Sequence, residues 1–138
     1  MGWRAKEVIK NEMKTFSTDI FTLGCIFYYI YTQGDHPFGQ MSIFSFLIYN
    51  KNQNRHERES NILNDSWIEK NIEHDSLFLD LIKKMLMGAP DQRISLEKVI
   101  AHPFFWTDEE KLIFIVDLSD FLEANGKKIF YHTFYNLK

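Results

Sequence analysis

The stretch STDIFTLGCIFYYIYTQG, residues 17–34, determines how the rest of this chain is expected to fold. After Asp19 the stretch carries no formal charge, and nearly every residue up to Gln33 is apolar or aromatic. A helix that is apolar on all sides has to be buried on all sides. It is too short and too rich in tyrosine for a membrane span, which takes about 20 predominantly apolar residues. The sequence therefore predicts a central helix around which the other elements pack.

Both ends of the stretch have the chemistry of helix ends. Ser17, Thr18 and Asp19 have side chains that can accept the free N–H groups of a first turn, and Gly34 suits the left-handed position just past a last turn. Burying the Asp19 carboxylate without donors would cost several kcal/mol. We therefore expect donors for Asp19, either from its own helix end or from another segment.

The composition is that of a folded chain of one domain's length. It has 138 residues, of which 45% are hydrophobic and 16% aromatic. The net charge of −3 gives no general attraction to nucleic acid or acidic lipid, and the chain contains neither a nucleic-acid-binding patch nor a membrane segment. The lone Cys25 lies within the apolar stretch, so we interpret it as a small buried apolar residue. Because it has no partner for a disulfide, the chain is expected to come from a reducing compartment.

Apolar spacing and capping residues predict four further helices. Thr107 and Glu110 have the spacing of a capping box that opens the last of them. The four are a short helix over 42–49, a helix from Asp75 or Ser76 to Gly88, a helix over 95–101 with Leu96, Val99 and Ile100 inward, and a helix after Thr107 with Phe114, Ile115, Leu118, Phe121 and Leu122 on one face, ending at Asn125-Gly126.

Three segments lack such patterns. Residues 50–60 (NKNQNRHERES) contain no apolar side chain, so we predict an exposed loop there. Residues 1–16, taken alone, predict a frayed end. The basic and aromatic tail over 126–138 has no regular pattern, and we expect it to be poorly ordered.

No motif in the chain predicts catalytic, cofactor-binding or metal-binding residues. His36 and His102 each precede a proline, and we interpret both as structural residues that form hydrogen bonds at turns. Arg93 lies in a turn between two predicted helices, where its planar set of donors favours a bidentate carboxylate partner. Glu7 is a candidate for that partner, but the spacing does not select it.

Taken in order, five motifs resemble the C-terminal half of a eukaryotic protein kinase domain. Ala5-Lys6-Glu7 resembles the Ala-Pro-Glu motif that closes the activation segment, with Lys6 where that family has proline. The resemblance implies a buried ion pair between Glu7 and Arg93, and it implies that Asp19 holds the backbone of the catalytic loop. The other four motifs are Asp19 to Gly24 at the start of the long helix, His36-Pro37-Phe38, Asp91-Gln92-Arg93 and His102-Pro103-Phe104-Phe105.

Further residues resemble the dual kinase–endoribonuclease family of Ire1 and RNase L, and they fit both branches. They are Gly2-Trp3, Phe27-Tyr28-Tyr29, and Trp106 followed by a capped helix with Asp117-Leu118-Ser119-Asp120. The resemblance implies an all-α fold, with part of a kinase large lobe in residues 1–105 and the truncated start of a nuclease (KEN) domain in residues 106–138. Trp106 would pack between these two parts.

The resemblance also implies what a longer parent protein would do. That parent would bind ATP and Mg, homodimerise and cleave RNA, in the cytoplasm or on the cytosolic face of the endoplasmic reticulum. In the family, the nucleotide and magnesium residues come before the segment that Gly2 matches. The nuclease residues come after Lys138. This chain alone is therefore expected to be inactive.

Two other interpretations stay open. The chain could be part of an ordinary serine/threonine kinase or pseudokinase in which residues 107–123 form a C-terminal extension, or it could be a non-catalytic interaction module. The catalytic loop that Asp19 would hold is expected outside the chain. An unpaired buried carboxylate there would cost about 3–5 kcal/mol, so we also expect marginal stability for the isolated chain.

Overall fold

The computed structural model describes the backbone of residues 2–39, 51–69 and 72–135, and the side chains of residues 2–39, 56–69 and 72–125. Two compact units divide the chain, Met1–Phe104 and Phe105–Lys138. The regular elements of the described residues are helices, which confirms the predicted helical fold. They are α1 (Lys6–Ile9), α2 (Phe16–Tyr31), α3 (Lys51–Leu63), α4 (Ser76–Met85), a 3₁₀ turn (Pro90–Gln92), α5 (Leu96–Ile100), a 3₁₀ turn (Pro103–Phe105) and α6 (Asp108–Tyr135).

Helix α2 lies at the centre of the first unit, as predicted. One side of it is buried in a core with residues of α3 and α4, and this side carries Phe21, Cys25 and Tyr28. Burial on all sides is wrong, however, because Phe16 is 93% exposed and Ile30 is 67% exposed. By helical periodicity these two residues lie on the side opposite Cys25. Composition predicted a buried helix, but it could not show that the described elements cover one side only.

The ends of α2 differ in detail from the prediction. Thr15, rather than Ser17, Thr18 or Asp19, is the residue before the first turn, and its N–H donates to the Thr18 hydroxyl at 3.2 Å. At the other end the left-handed position is taken by Gln33, with φ 57°. Gly34 follows with φ 126° and donates its N–H to the Tyr29 carbonyl at 2.9 Å.

Other helix ends are as predicted. Asp75 precedes α4 and accepts the Phe78 N–H at 3.0 Å, and this confirms the predicted start. In the second unit the Thr107 N–H donates to a Glu110 carboxylate oxygen at 2.8 Å, while the Glu110 N–H donates to the Thr107 hydroxyl at 3.2 Å. The capping box that opens α6 is therefore confirmed.

Two predictions of irregular structure are wrong. Of the predicted loop over residues 50–60, residues 51–60 lie in helix α3, which buries only Arg58 and Ile62 among its described side chains. An apolar pattern cannot reveal a helix that contributes a single apolar residue to the core. The predicted frayed N-terminus contains α1, which is held because Ala5 and Glu7 are buried.

Two helices depart from the predicted faces or bounds. Of the residues predicted inward on α5, only Val99 is buried, whereas Leu96 is 50% and Ile100 68% exposed. Helix α6 does not end at Asn125-Gly126 but continues to Tyr135, and its predicted apolar face is 43–61% exposed. The predicted helix over 42–49 lies outside the described residues. Within the described part of the chain, no helix has both the length and the hydropathy to span a membrane.

Candidate functional site

Glu7 and Arg93 form a buried ion pair within the first unit. Glu7 lies on α1, and Arg93 follows the 3₁₀ turn Pro90–Gln92. Arg93 Nη1 donates to Glu7 Oε1 at 2.6 Å and Nη2 donates to Oε2 at 2.8 Å, which makes the contact bidentate. The Arg93 side chain is 0% exposed and that of Glu7 is 2% exposed. The structure thus brings together the two residues that the kinase resemblance pairs.

The remaining donors of Arg93 are all used by backbone carbonyls. Nε donates to Met87 O at 2.6 Å, Nη1 also donates to Ser17 O at 3.0 Å, and Nη2 also donates to Gly88 O at 3.0 Å. The five N–H groups of the guanidinium therefore all have acceptors. The guanidinium also lies over the Phe21 ring, 5.0 Å from its centroid. Arg93 consequently ties together α1, the start of α2 and the loop after α4.

Thr18 completes the environment of Glu7. Its hydroxyl donates to Glu7 Oε1 at 2.9 Å and accepts the Thr15 N–H, so it links the ion pair to the first turn of α2. Burial by itself raises the pKa of Glu7, but the hydrogen bonds from Arg93 and Thr18 and the charge of Arg93 outweigh it and lower the pKa below its usual value. Glu7 therefore stays ionised in the folded chain at neutral pH.

Asp19 is exposed, so the predicted buried and unpaired carboxylate is wrong for this chain. The residue lies in the first turn of α2 with its side chain open to solvent, so it does not require donors from the protein. It lines a largely apolar groove of about 760 Å³ between α2 and α5. The expected destabilisation from Asp19 therefore has no structural basis here.

Gly24 lies where α2 meets α4 and the residue that follows it. A Cβ at this position would lie 2.9 Å from Met85 Cβ and 3.1 Å from Leu86 Cδ2. Both distances are shorter than ordinary carbon contacts, so a side chain here would force the two helices apart. Gly24 therefore permits the close approach of two core helices.

Trp106 lies in the second unit, next to the start of α6. Its ring centroid is 5.3 Å from that of Phe114, with the two planes at 59°. This ring contact joins the segment before α6 to the second turn of that helix.

The two His-Pro-Phe triplets have the same local structure. Phe38 N–H donates to His36 Nδ1 at 3.1 Å, and Phe104 N–H donates to His102 Nδ1 at 3.2 Å. His102 Nε2 is also 2.9 Å from Asp80 Oδ2. Burial and the charge of Arg58 lower the pKa of His36 to about 3, so it is neutral. These contacts confirm the structural interpretation of both histidines.

The described residues around Glu7 and Arg93 form a structural centre. Cys25 is fully buried, and burial raises the pKa of its thiol above the usual range, which confirms it as a buried apolar residue. No group of three or more His, Cys, Asp or Glu side chains in the described ranges is placed to hold a metal ion. The ion pair can hold α1, the start of α2 and the loop after α4 together.

Sequence analysis missed part of this centre. Three of the acceptors of Arg93 are main-chain carbonyls, which any residue type supplies, so no sequence signal marks them. Thr18 was expected at the start of α2 but not as a donor to Glu7. The Thr18 hydroxyl lies between the Thr15 N–H and the Glu7 carboxylate. The contact with Glu7 depends on how α1 packs against α2, and the sequence does not show this packing.

This chain belongs to the protein kinase domain family, whose model matches residues 1–105. Its fold is similar to solved kinase structures. For the twitchin kinase region of Caenorhabditis elegans, the TM-score is 0.61 at 19% identity, over 77% of this chain and 17% of that one. For the Rad53 kinase domain with SCD2, the TM-score is 0.58 at 22% identity, over 77% of this chain and 39% of that one.

Among curated relatives, the similarity is to Ire1-type proteins. The chain is 39% identical to the serine/threonine-protein kinase/endoribonuclease ire-1 of Caenorhabditis elegans over 88% of this chain and 12% of that protein. It is 34% identical to human serine/threonine-protein kinase/endoribonuclease IRE2 over 92% of this chain and 13% of that protein. A third relative is the fission yeast sensor for unfolded proteins in the ER, ire1. The identity to it is 32%, over 91% of this chain and 12% of that protein. The chain thus spans about an eighth of the length of these relatives.

Proposed function

We propose that this chain is a segment of an Ire1-type serine/threonine kinase and endoribonuclease, in which it supplies the C-terminal part of the kinase large lobe. One observation carries the proposal. The alignment with human IRE2 covers 92% of this chain, which is more than the kinase match over residues 1–105 accounts for. The similarity to a kinase–endoribonuclease therefore extends into the second unit, and this favours the proposal over an ordinary kinase with an unrelated extension.

Within that lobe we assign Glu7 and Arg93 a structural role. The pair is buried, bidentate and supplied with acceptors for every guanidinium N–H. Such a contact leaves no guanidinium proton of Arg93 free to bind a substrate. Its function is to hold α1 against α2 and the loop after α4, and so to position the activation segment that α1 would close in the parent.

Asp19 and Trp106 are assigned to contacts with the rest of the parent. Asp19 is exposed at the edge of an apolar groove, so its carboxylate is available to accept hydrogen bonds from the backbone of a catalytic loop. Trp106 contacts Phe114 at the start of α6, a helix with a half-exposed apolar face. We infer that α6 opens a nuclease-type domain and that Trp106 packs between it and the lobe.

Catalysis belongs to the parent rather than to these 138 residues. ATP would supply the phosphoryl group, with Mg held by the Asp and Asn residues that the kinase family places upstream of this segment. Dimerisation of the parent and its action on RNA follow from the same proposal. So does a location in the cytoplasm or on the cytosolic face of the endoplasmic reticulum.

Sequencing the transcript in both directions from this segment tests the proposal. We expect a glycine-rich loop, a nucleotide-binding lysine and an Asp-Phe-Gly motif upstream, and a nuclease domain downstream. A kinase domain followed by no nuclease sequence would support the ordinary kinase instead. A reading frame limited to these 138 residues would contradict the proposal and favour a non-catalytic interaction module.

A further inference from the structure

Arg58 on α3 is a buried arginine held between two glycines. The residue is 9% exposed. A Cβ at Gly2 would lie 3.2 Å from Arg58 Cδ, and one at Gly39 would lie 2.9 Å from Cγ and 3.4 Å from Nε. The stem of the side chain is therefore enclosed by backbone on two sides, which fixes where the guanidinium can point.

This guanidinium has no carboxylate partner. All 19 Asp and Glu side chains of the sequence fall within the described residues, and none of them forms an ion pair with Arg58. Its Nε is buried and has no hydrogen-bond acceptor among the described residues. Glu57, the exposed residue that precedes Arg58, forms no ion pair with it, and its negative charge only raises the pKa of Arg58. Arg93, by contrast, has an acceptor for each of its five donors.

The positive field of Arg58 also acts on its surroundings. After burial, the charge of Arg58 is the next largest cause of the lowered pKa of His36. Arg4 is bound to the same helix through Glu59 at 2.8 Å, and Arg4 Nε is likewise buried without an acceptor. Glu59 thus pairs with Arg4 and leaves Arg58 without a carboxylate, and each arginine keeps one buried Nε donor that has no acceptor. An uncompensated buried charge is strongly destabilising.

We propose that Arg58 binds an oxyanion of the phosphate class. A guanidinium presents paired donors that match the geometry of a phosphate group. A phosphate group, which carries about −1.5 to −2 charges at neutral pH, supplies the counter-charge that Arg58 lacks. The source is either free phosphate or a phosphorylated side chain. This proposal does not depend on the proposed parent protein, because it concerns residues of this chain alone.

NMR of the arginine Nε–H signals tests the site directly in the 138-residue chain. Inorganic phosphate is titrated at constant ionic strength against sodium chloride, and the Arg58 signal is assigned by its loss in Arg58→Lys. We expect a saturable shift of this signal with phosphate and none with chloride. A second arm uses a short peptide with one phosphoserine. Binding of the peptide roughly tenfold tighter than free phosphate identifies a phosphorylated side chain as the source, and equal or weaker binding identifies free phosphate.

Thermal unfolding of matched variants gives an independent readout. Phosphate is expected to raise the unfolding midpoint of the wild type and of Lys98→Met, an exposed control. Arg58→Met is expected to lose this phosphate-dependent increase. Equal effects of phosphate and chloride on the wild-type Arg58 signal overturn the proposal, and so does an undiminished phosphate effect in Arg58→Met. If Arg58→Met does not fold, the wild-type titration decides.

Discussion

Glu7 and Arg93 lie 86 positions apart in the sequence, yet both carboxylate oxygens of Glu7 accept hydrogen bonds from the Arg93 guanidinium, at 2.6 and 2.8 Å. The contact closes a loop between α1 and the turn after α4. Because Arg93 also binds Ser17 O, Met87 O and Gly88 O, losing Arg93 leaves these three carbonyls and the Glu7 carboxylate without their donor at once.

Removing one member of this pair is expected to destabilise the first unit strongly. In Glu7→Gln the buried guanidinium keeps its charge but loses its counter-charge, and such a change costs about 3–5 kcal/mol. Urea unfolding followed by circular dichroism measures this loss. The control is Lys83→Met, which removes an exposed ion pair with Glu69 and is expected to cost about 0–1 kcal/mol. Equal losses in the two variants would contradict a structural role for the buried pair.

The same pair predicts a pH dependence of stability. The pKa of Glu7 is lowered in the folded chain, so its contribution is present above its usual value of 4.5 and is lost as the pH falls through the folded pKa. Other carboxyls with lowered pKa contribute to the same profile, so the informative quantity is the difference between wild type and Glu7→Gln. We expect this difference in the free energy of unfolding to shrink below about pH 4.5. A difference that stays constant down to pH 2 would show that the charge of Glu7 is irrelevant.

Gly24→Ala is expected to weaken the contact between α2 and α4. The new methyl group would lie 2.9 Å from Met85 Cβ, and the resulting overpacking exceeds the gain in helix propensity, leaving a net loss of about 1–2 kcal/mol. Chemical denaturation of the variant measures the effect. Ile30→Ala on the exposed side of α2 serves as control and should change stability by less than about 0.5 kcal/mol. A stabilised Gly24→Ala protein would refute the close approach.

Asp75 is expected to act both as the cap of α4 and as an anchor for α2. Its Oδ1 accepts the Phe78 N–H, while its Oδ2 accepts the Tyr31 hydroxyl at 2.9 Å. Asp75→Ala removes both contacts and should cost about 0.5–2 kcal/mol from the cap alone. Asp75→Asn keeps a good capping residue and should cost less. If thermal unfolding shows the two variants to be equally destabilised, the cap is not the main contribution.

Local chemistry predicted some elements well. The starts of α4 and α6 were predictable because Asp75 and Thr107 bind backbone groups within the next turn, which is a property of short sequence windows. Helix α3 was not predictable in this way, because a mostly charged segment reveals its helix only through the burial of Arg58 and Ile62. The exposed side of α2 was not predicted for a related reason. The apolar composition of a helix does not show which other elements pack against it.

The candidate site was predicted only in part, and for a different reason. The planar donor set of Arg93 favoured a carboxylate partner. The choice of Glu7 came from the kinase resemblance and not from the spacing of the two residues in the sequence. The carbonyls of Met87 and Gly88 are independent of residue type. Asp19 was expected to be buried because it opens an apolar helix, whereas the described elements leave that end of α2 open to water.

The most direct test of the proposed function is an RNA-cleavage assay of two purified proteins side by side: the polypeptide encoded by the complete transcript and the 138-residue chain. We expect cleavage by the complete polypeptide and none by the 138-residue chain, with the Glu7→Gln variant of the complete polypeptide less active because its lobe is destabilised. Cleavage by the 138-residue chain alone, or none by a folded complete polypeptide, would contradict it.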